Sequence, residues 1–443
     1  MSKKPSRRNF IQTGSAVAGT MAGSYFVGTS AAEERPNKIR LGVIGCGGIM
    51  THHVKGLCSR KSAVDFRWLC DVDPNQMERI SKPIGQLQSN APKRTAKFEQ
   101  VLADKNVDAV LIATPHHWHC PIALQAIYAG KDIYCEKPLS HVFDEGPKVV
   151  AAAKKHKRIV QHGSQMRSSP VTLMAGKLLK DGLIGDIKVS KAWTAEVRNT
   201  VKPVPDAQPP KGVDYDRWLG PAPKHAFNKY RFHGTWRMFR DYANGEIGDD
   251  GIHDIDMARW GLGVDTHPKQ VTARGGRMLL HGHASDYPDN MNVTYEYPDG
   301  RLLVYENYPF TAYGLHGFDN GNVFYGTKGY MIFSRRGYFQ VYLGKRGDIG
   351  PEVPSSIRGA NGRGYKQHMN NFLKCIRTRE TPVADPQTAH LSCTLVHLGD
   401  IAYQAKKTID FDPKNERIRG NAKAQKLLTK SYRSPYVLPS DTA

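Results

Sequence analysis

The passage Lys38–Met50, KIRLGVIGCGGIM, limits the possible folds more than any other part of the chain. From Ile39 to Ile44 the side chains are mostly apolar without a clean alternation, and glycines follow at once. This reads as a strand buried on both faces that passes through a tight turn into a helix. Such a strand needs a covering layer on each side, which a βαβ unit supplies. The alternation recurs. FRWLCDV (Phe66–Val72) and DAVLIATP (Asp108–Pro115) predict a second and third strand. HCPIALQAIYAGKDIYCEKP adds a helix and a strand, and VFDEGPKVVAAAKKHKRIVQHGSQ adds another pair. Right-handed crossovers then give a doubly wound parallel sheet over residues 37–165.

Beyond Met166 the texture changes. A helix (Thr172–Asp181) leads to the alternating strand DIKVSKAWTAEV, and a Pro-rich loop runs from Lys202 to Pro223. Hairpin-like runs follow: QVTARGGRML, MNVTYEYPDGRLLVYENY with its turn at Pro298-Asp299-Gly300, and FYGTKGYMIFSRRGYFQVYLG. They predict an α/β domain over residues 166–443, built on a large, mainly antiparallel sheet that serves substrate binding and oligomerisation. Helices near Gln367–Thr378 and Ala389–Ala405 are expected to close it.

Of the 443 residues, 40% are hydrophobic and 23% charged, a globular composition. Outside the N-terminus no apolar run is long enough to span a membrane. The net charge of +22 favours polyanions, yet the basic residues are scattered and form no block interleaved with aromatics. A specific nucleic-acid partner is therefore not expected. The seven cysteines are odd in number and include no CxxC, the pattern of a chain folded in a reducing compartment.

Residues 1–32 read as a leader. Ser6-Arg7-Arg8-Asn9-Phe10-Ile11 precedes a mild run rich in Gly, Ala, Ser and Thr, with small residues at Ala31 and Ala32 for cleavage. The paired arginines resemble the twin-arginine export signal, whose route carries folded proteins to the periplasm or cell envelope.

Gly45-x-Gly47 sits where the first strand hands over to its helix, so that backbone can approach a pyrophosphate lying on the helix N-terminus. The third position of G-x-G-x-x-G is Met50, a departure. Asp71, 26 residues after Gly45 at the end of the second strand, accepts from ribose hydroxyls, and no Arg follows it directly. This favours NAD over NADP. The expected cofactor-contacting set is Gly45, Gly47, Gly48, Ile49, Asp71, Thr114, Pro115, His116, His119, Glu136, Lys137 and Gln165.

CEKP (Cys135–Pro138) ends a parallel strand, where open sheets hold their ligands. In GDDGIHDIDMARW, Asp249 and His253 are four apart and are expected on one face of a helix. Removing a hydride from a hydroxyl-bearing carbon needs a proton acceptor of near-neutral pKa, a role open to His253 or Lys137, with Asp249 orienting the imidazole or holding an adjacent hydroxyl. Metal binding ranks lower, because no H-E-x-x-H type spacing is present, and no metal is expected; HHWH (His116–His119) reads as ring contacts. Arg167, Arg198, Tyr230, Arg231, His233, Trp236 and Arg237 are candidates for binding substrate hydroxyls.

G-x-G, Asp71, ATP followed by His119, AGKDIYCEKP and D-x-x-x-H-D-I-D together resemble the glucose–fructose oxidoreductase/inositol dehydrogenase (Gfo/Idh/MocA) family. WLGPAP (Trp218–Pro223), HGTWRMF, HLGDIAYQ and the tail KSYRSPYVLP resemble its exported bacterial members. The resemblance implies catalytic roles for Lys137, Asp249 and His253 and a sugar or cyclitol substrate, while the open antiparallel sheet, of a kind that often pairs with another face, leads us to expect a homo-oligomer. Some exported relatives use bound NAD to hydrolyse glycosides through transient oxidation. They typically lack the lysine that this chain keeps at 137.

Overall fold

In the computed structural model, which describes residues 38–441 except 61, 198–201, 279 and 309–314, two sheets build the molecule. The leader and Arg198 lie outside the described residues. Strands β1 (Ile39–Ile44), β2 (Val64–Cys70), β3 (Lys93–Thr95), β4 (Ala109–Ile112), β5 (Asp132–Cys135) and β6 (Val160–His162) run parallel in the order β3-β2-β1-β4-β5-β6. Helices α1 (Gly48–Cys58), α2 (Pro74–Gly85), α3 (Phe98–Ala103), α4 (His116–Tyr128) and α5 (Glu145–Lys155) connect them. The order reverses between β1 and β4, which opens a crevice at the C-terminal ends of these strands. The edge strand KRT carries no apolar pattern and is largely exposed, so nothing in the sequence singled it out.

The second sheet contains β7 (Ile187–Thr194), β8 (Gln270–Gly276), β9 (Asn290–Glu296), β10 (Leu302–Asn307), β11 (Asn320–Gly326), β12 (Gly329–Ser334), β13 (Tyr338–Leu343), β14 (Asp348–Glu352), β15 (Ile409–Asp412) and β16 (Arg417–Arg419). Its order is β14-β13-β12-β11-β7-β10-β9-β8-β15-β16. Only the central β7–β10 pair is parallel. The intervening helices are α6 (Pro170–Lys180), α7 (Tyr215–Leu219), α8 (Gly245–Asp249), α9 (Gly251–Leu262), α10 (Tyr365–Thr378), α11 (Pro386–Ala405) and α12 (Ala422–Lys426). Ser169 caps α6 by accepting from the Val171 and Thr172 amides, with Pro170 in the first turn.

One helix departs from expectation. Instead of closing the second sheet, α10 lays Met369, Phe372, Leu373 and Ile376 against Leu41, Val43 and Leu111 of the parallel sheet. Its apolar period shows that one face is buried but not which layer receives it. A further core joins Val110 and Ile133 to Val293, Tyr295 and Leu398, so both sheets share packing within one compact unit, Asn37–Ala443. All seven cysteines are free thiols.

Candidate active site

The crevice between β1 and β4 holds a cavity of about 260 Å³ lined by Gly45, Gly47, Gly48, Ile49, Asp71, Thr114 and Pro115. Gly45 has φ +83°, and an added Cβ would stand 2.7 Å from the Ala113 backbone. Over Gly47 and Gly48 nothing lies within 4 Å, and α1 begins there with no side chain capping it. Asp71 Oδ2 accepts from the Cys46 amide (2.7 Å) and Oδ1 from the Asp73 amide (2.9 Å), which sets the carboxylate at the cavity wall. Burial raises its pKa, and the two amide bonds oppose that shift. The Thr114 hydroxyl is buried at the inner end without a partner. Uncapped helix amides, a fixed ribose acceptor and an orphaned hydroxyl fit a dinucleotide. Gly45→Ala is expected to abolish nucleotide retention and add about 1–2 kcal/mol of left-handed backbone strain. Nucleotide content after denaturation and the urea midpoint check this.

A second cavity of about 560 Å³ shares Ile49, Thr114, Trp236 and Arg237 with the first. Into it project His116, His119, Glu136, Lys137, Gln165, Asp249 and His253. Lys137 Nζ donates to Asp249 Oδ1 (2.7 Å) and to the Asp249 carbonyl (2.5 Å). Arg237 Nε pairs with Asp249 Oδ2 at 2.9 Å and lies over the Trp236 ring. Burial alone would raise the Asp249 pKa, but Lys137 and Arg237 hold it well below the usual carboxylate range. Asp249 is therefore a fixed anion that anchors two cations.

His253 sits beside this array, and among the described residues neither ring nitrogen has a hydrogen-bond partner. Burial, with Lys137 and Arg335 nearby, lowers its pKa to about 3. The imidazole is neutral at physiological pH and free to accept. Glu136, the next carboxylate, accepts from His53 Nε2 (2.6 Å), Tyr134 Oη (3.1 Å) and Gln165 Nε2 (3.1 Å). Burial opposes its ionisation, yet the bond to His53 brings its pKa down to about 2.

Some expectations are corrected. Asp249 and His253 are not on one helix: α8 ends at Asp249 and α9 begins at Gly251. Gly248 and Gly251 flank the break, packed where a Cβ would meet Asn244 and the Tyr305 hydroxyl. Both functional side chains still reach one cavity. Arg167 does not; its guanidinium makes a two-point contact with buried Asp256 (2.8 and 2.7 Å). Tyr230 and Arg231 line neither cavity; Arg231 lies over Phe239. His233 faces the nucleotide cleft rather than the second cavity, with Nε2 2.7 Å from Asp73 Oδ2. In HHWH, His116 meets Asn244 and His119 lies between the Thr114 and Pro138 carbonyls, each ring with its own partners.

Arg335 escaped sequence reasoning, since it sits in the hairpin SRRG with no motif around it. It lines the second cavity, held by Glu196 (3.0 Å) and Asp250 (3.3 Å), with Asp254 behind. Burial pushes the Asp254 pKa up to about 8, and Arg335 opposes the shift. Among the described residues the one converging His/carboxylate group is His267, His390 and Glu416, which lines neither cavity.

A nucleotide crevice at the switch point of a parallel sheet, opening into a pocket of Lys, Asp and His, defines an NAD-dependent oxidoreductase acting on CH–OH groups. Residues 39–164 match the model for the oxidoreductase family's NAD-binding Rossmann fold, and residues 151–438 match that for its C-terminal alpha/beta domain. The chain belongs to this Gfo/Idh/MocA oxidoreductase family. It is 24% identical over 375 residues to the myo-inositol 2-dehydrogenase of Thermotoga maritima, covering 84% of this chain and 96% of that one. A glycosyl hydrolase family 109 protein of Shewanella pealeana is 26% identical over 290 residues, 60% of this chain and 61% of its own. Levoglucosan dehydrogenase, solved with NADH and levoglucosan, superposes with a TM-score of 0.64 at 20% identity, covering 84% of this chain and 99% of that one.

Proposed function

We propose that the protein is an exported oxidoreductase that moves a hydride between NAD and a hydroxyl-bearing carbon of a neutral sugar, cyclitol or derivative. The observation that carries this is Lys137 and Arg237 fixed on Asp249 beside the unpartnered imidazole of His253. Around the pocket Lys137, Arg237 and Arg335 balance Glu136, Asp249 and Asp250, which suits a neutral polyol better than an anion. The inositol and levoglucosan dehydrogenases among its relatives support the substrate class.

NAD held by Gly45, Gly47, Gly48 and Asp71 would supply the hydride acceptor. Lys137 donates a hydrogen bond to the oxygen of the carbon being oxidised and stabilises charge developing there. His253 accepts that oxygen's proton and passes it to solvent, since neighbouring Lys137 and Arg335 disfavour the imidazolium. Asp249 keeps the lysine in place and, ionised throughout, takes no proton. His253→Gln is expected to lower kcat about a hundredfold with nucleotide content unchanged. In short assays kcat/KM for oxidation is expected to stay flat from about pH 7.5 to about pH 6, where the fold still holds, because His253 protonates only near 3. An acid limb near 6.5 would overturn the lowered pKa of His253.

In this reading residues 37–165 bind the nucleotide, and residues 166–443 supply the substrate wall and a surface for pairing with a second copy. The paired arginines at 7 and 8 support export of the folded, loaded protein, with NAD kept through many turnovers and a second substrate restoring its redox state. To test the assignment, purified protein is denatured, any released nucleotide identified, and intact protein screened against sugars with an added carbonyl acceptor. Absence of nucleotide and of affinity for NAD would refute it.

The relative from Shewanella pealeana supports a second reading, redox-neutral glycoside hydrolysis. Release of a leaving group without net NADH would select it. Retention of Lys137 favours the dehydrogenase.

A further inference from the structure

Two motifs remain outside the chemistry: WLGPAP at Trp218–Pro223 and the tail KSYRSPYVLP. The structure brings them together over the nucleotide cleft. After the Pro-rich loop the chain crosses back to the parallel sheet. The Asp214 amide donates to the Val72 carbonyl at 3.0 Å. Arg217 forks onto both oxygens of Glu99, at 2.9 and 3.0 Å. Trp118 Nε1, from α4, donates to the Arg217 and Trp218 carbonyls. Further along, His233 closes on Asp73, two residues past Asp71. The same stretch supplies Arg217, Trp218, His233, Trp236 and Arg237 to the cleft wall.

The tail then fastens this stretch from outside. Arg433 Nε donates to the Gly220 carbonyl (2.9 Å), and Nη1 donates to Asp216 Oδ1 (2.7 Å). The Arg433 amide donates to the Pro221 carbonyl at 3.0 Å, and Tyr436 Oη donates to Asp216 Oδ2 at 3.0 Å. The Tyr436 ring meets Trp118 edge-on at 5.5 Å. Gly220 is required beneath it: with φ +50° it sits where any Cβ would enter the Trp118 ring. Neither Arg433 nor Tyr436 lines the cleft.

We infer that residues 214–237 form a strap closing the nucleotide site from the substrate side, and that the tail around Arg433 locks it. The glycine turn admits the dinucleotide, and the strap then sets how long it stays. The inference rests on the proposed NAD dependence and names the residues that make the cofactor resident. Breaking the lock leaves every cleft-lining side chain present but frees the strap to open. Dissociation therefore quickens without loss of a direct contact.

The test follows release of bound NADH by its fluorescence after mixing the full-length holoprotein with excess unlabelled NAD. It compares the wild type with Arg433→Ala, Arg433→Lys and Tyr436→Phe. Arg433→Ala is expected to release NADH at least tenfold faster, and Tyr436→Phe, which loses only the bond to Asp216, severalfold faster. Arg433→Lys, which keeps the charge opposite Asp216 but loses the Nε bonds to the Gly220 and Ala222 carbonyls, is expected to fall between the wild type and Arg433→Ala. Far-UV circular dichroism and melting temperature report the fold; if Arg433→Ala does not fold, Arg433→Lys and Tyr436→Phe decide the outcome. Wild-type release rates in folded variants would overturn the strap while leaving NAD dependence intact. A wild type that binds no NADH would overturn both.

Discussion

Lys137→Met is expected to lower kcat about a thousandfold while bound NAD stays in place, a loss of roughly 4 kcal/mol of transition-state stabilisation. The substitution keeps the length of a side chain that is only 15% exposed, so packing changes little. What it removes is the cation that spans Asp249 and the second cavity. Asp249 is left with Arg237 alone, and its pKa moves up toward the ordinary carboxylate range. His253 loses the neighbour that, after burial, does most to lower its pKa. Residual activity should therefore show an acid limb at higher pH than the wild type, a signature that simple misfolding would not give. Steady-state kinetics across pH, with nucleotide content measured on the same samples, check both parts. Full turnover by the variant would take Lys137 out of catalysis.

Stability is expected to fall steeply below neutral pH. Burial lowers the pKa of His117, His253 and His397 to about 3 and of His162 and His368 to about 4. In the unfolded chain each returns to about 6.5. Between those values the unfolded state binds protons that the folded state refuses, so stability rises with pH and is lost as pH falls through this window. Asp254 acts in the opposite sense, because burial keeps it protonated up to about 8 in the fold. Roughly four protons remain, about 5 kcal/mol per pH unit near pH 5.5, comparable to the whole stability of an ordinary domain. Urea unfolding at pH 7.5, 6.5 and 5.5 measures this. A midpoint that holds or rises on acidification would contradict it.

Much of the architecture was readable in the chain because its signals are local. Ile39–Ile44 followed by Gly45 specifies a strand, a turn and a helix within a dozen residues, and Asp71 marks the end of the next strand. The strands Gln270–Gly276, Asn290–Glu296 and Leu302–Asn307 carry the period-2 pattern that a half-buried sheet requires. Partner choice was harder to read. The apolar face of α10 says that it packs, but only the tertiary structure shows it on the parallel sheet. Arg167 reads as a substrate-binding candidate in the sequence, and nothing in the order of residues shows Asp256 waiting for it. Arg335, in unremarkable sequence, is the same case, and Arg433, in a tail the sequence did single out, likewise takes its meaning from residues more than eighty positions away.

The central claim is hydride transfer between a CH–OH carbon and nicotinamide in this pocket. Its most direct measurement mixes the holoprotein with sugars and cyclitols deuterated at their hydroxyl-bearing carbons, follows 340 nm absorbance, and weighs the nucleotide released on denaturation. The expected result is a reduced-nicotinamide band, stoichiometric with protein, and a nucleotide carrying one deuterium for at least one member of the panel. Product formation with no band and no label in the nucleotide would contradict the account.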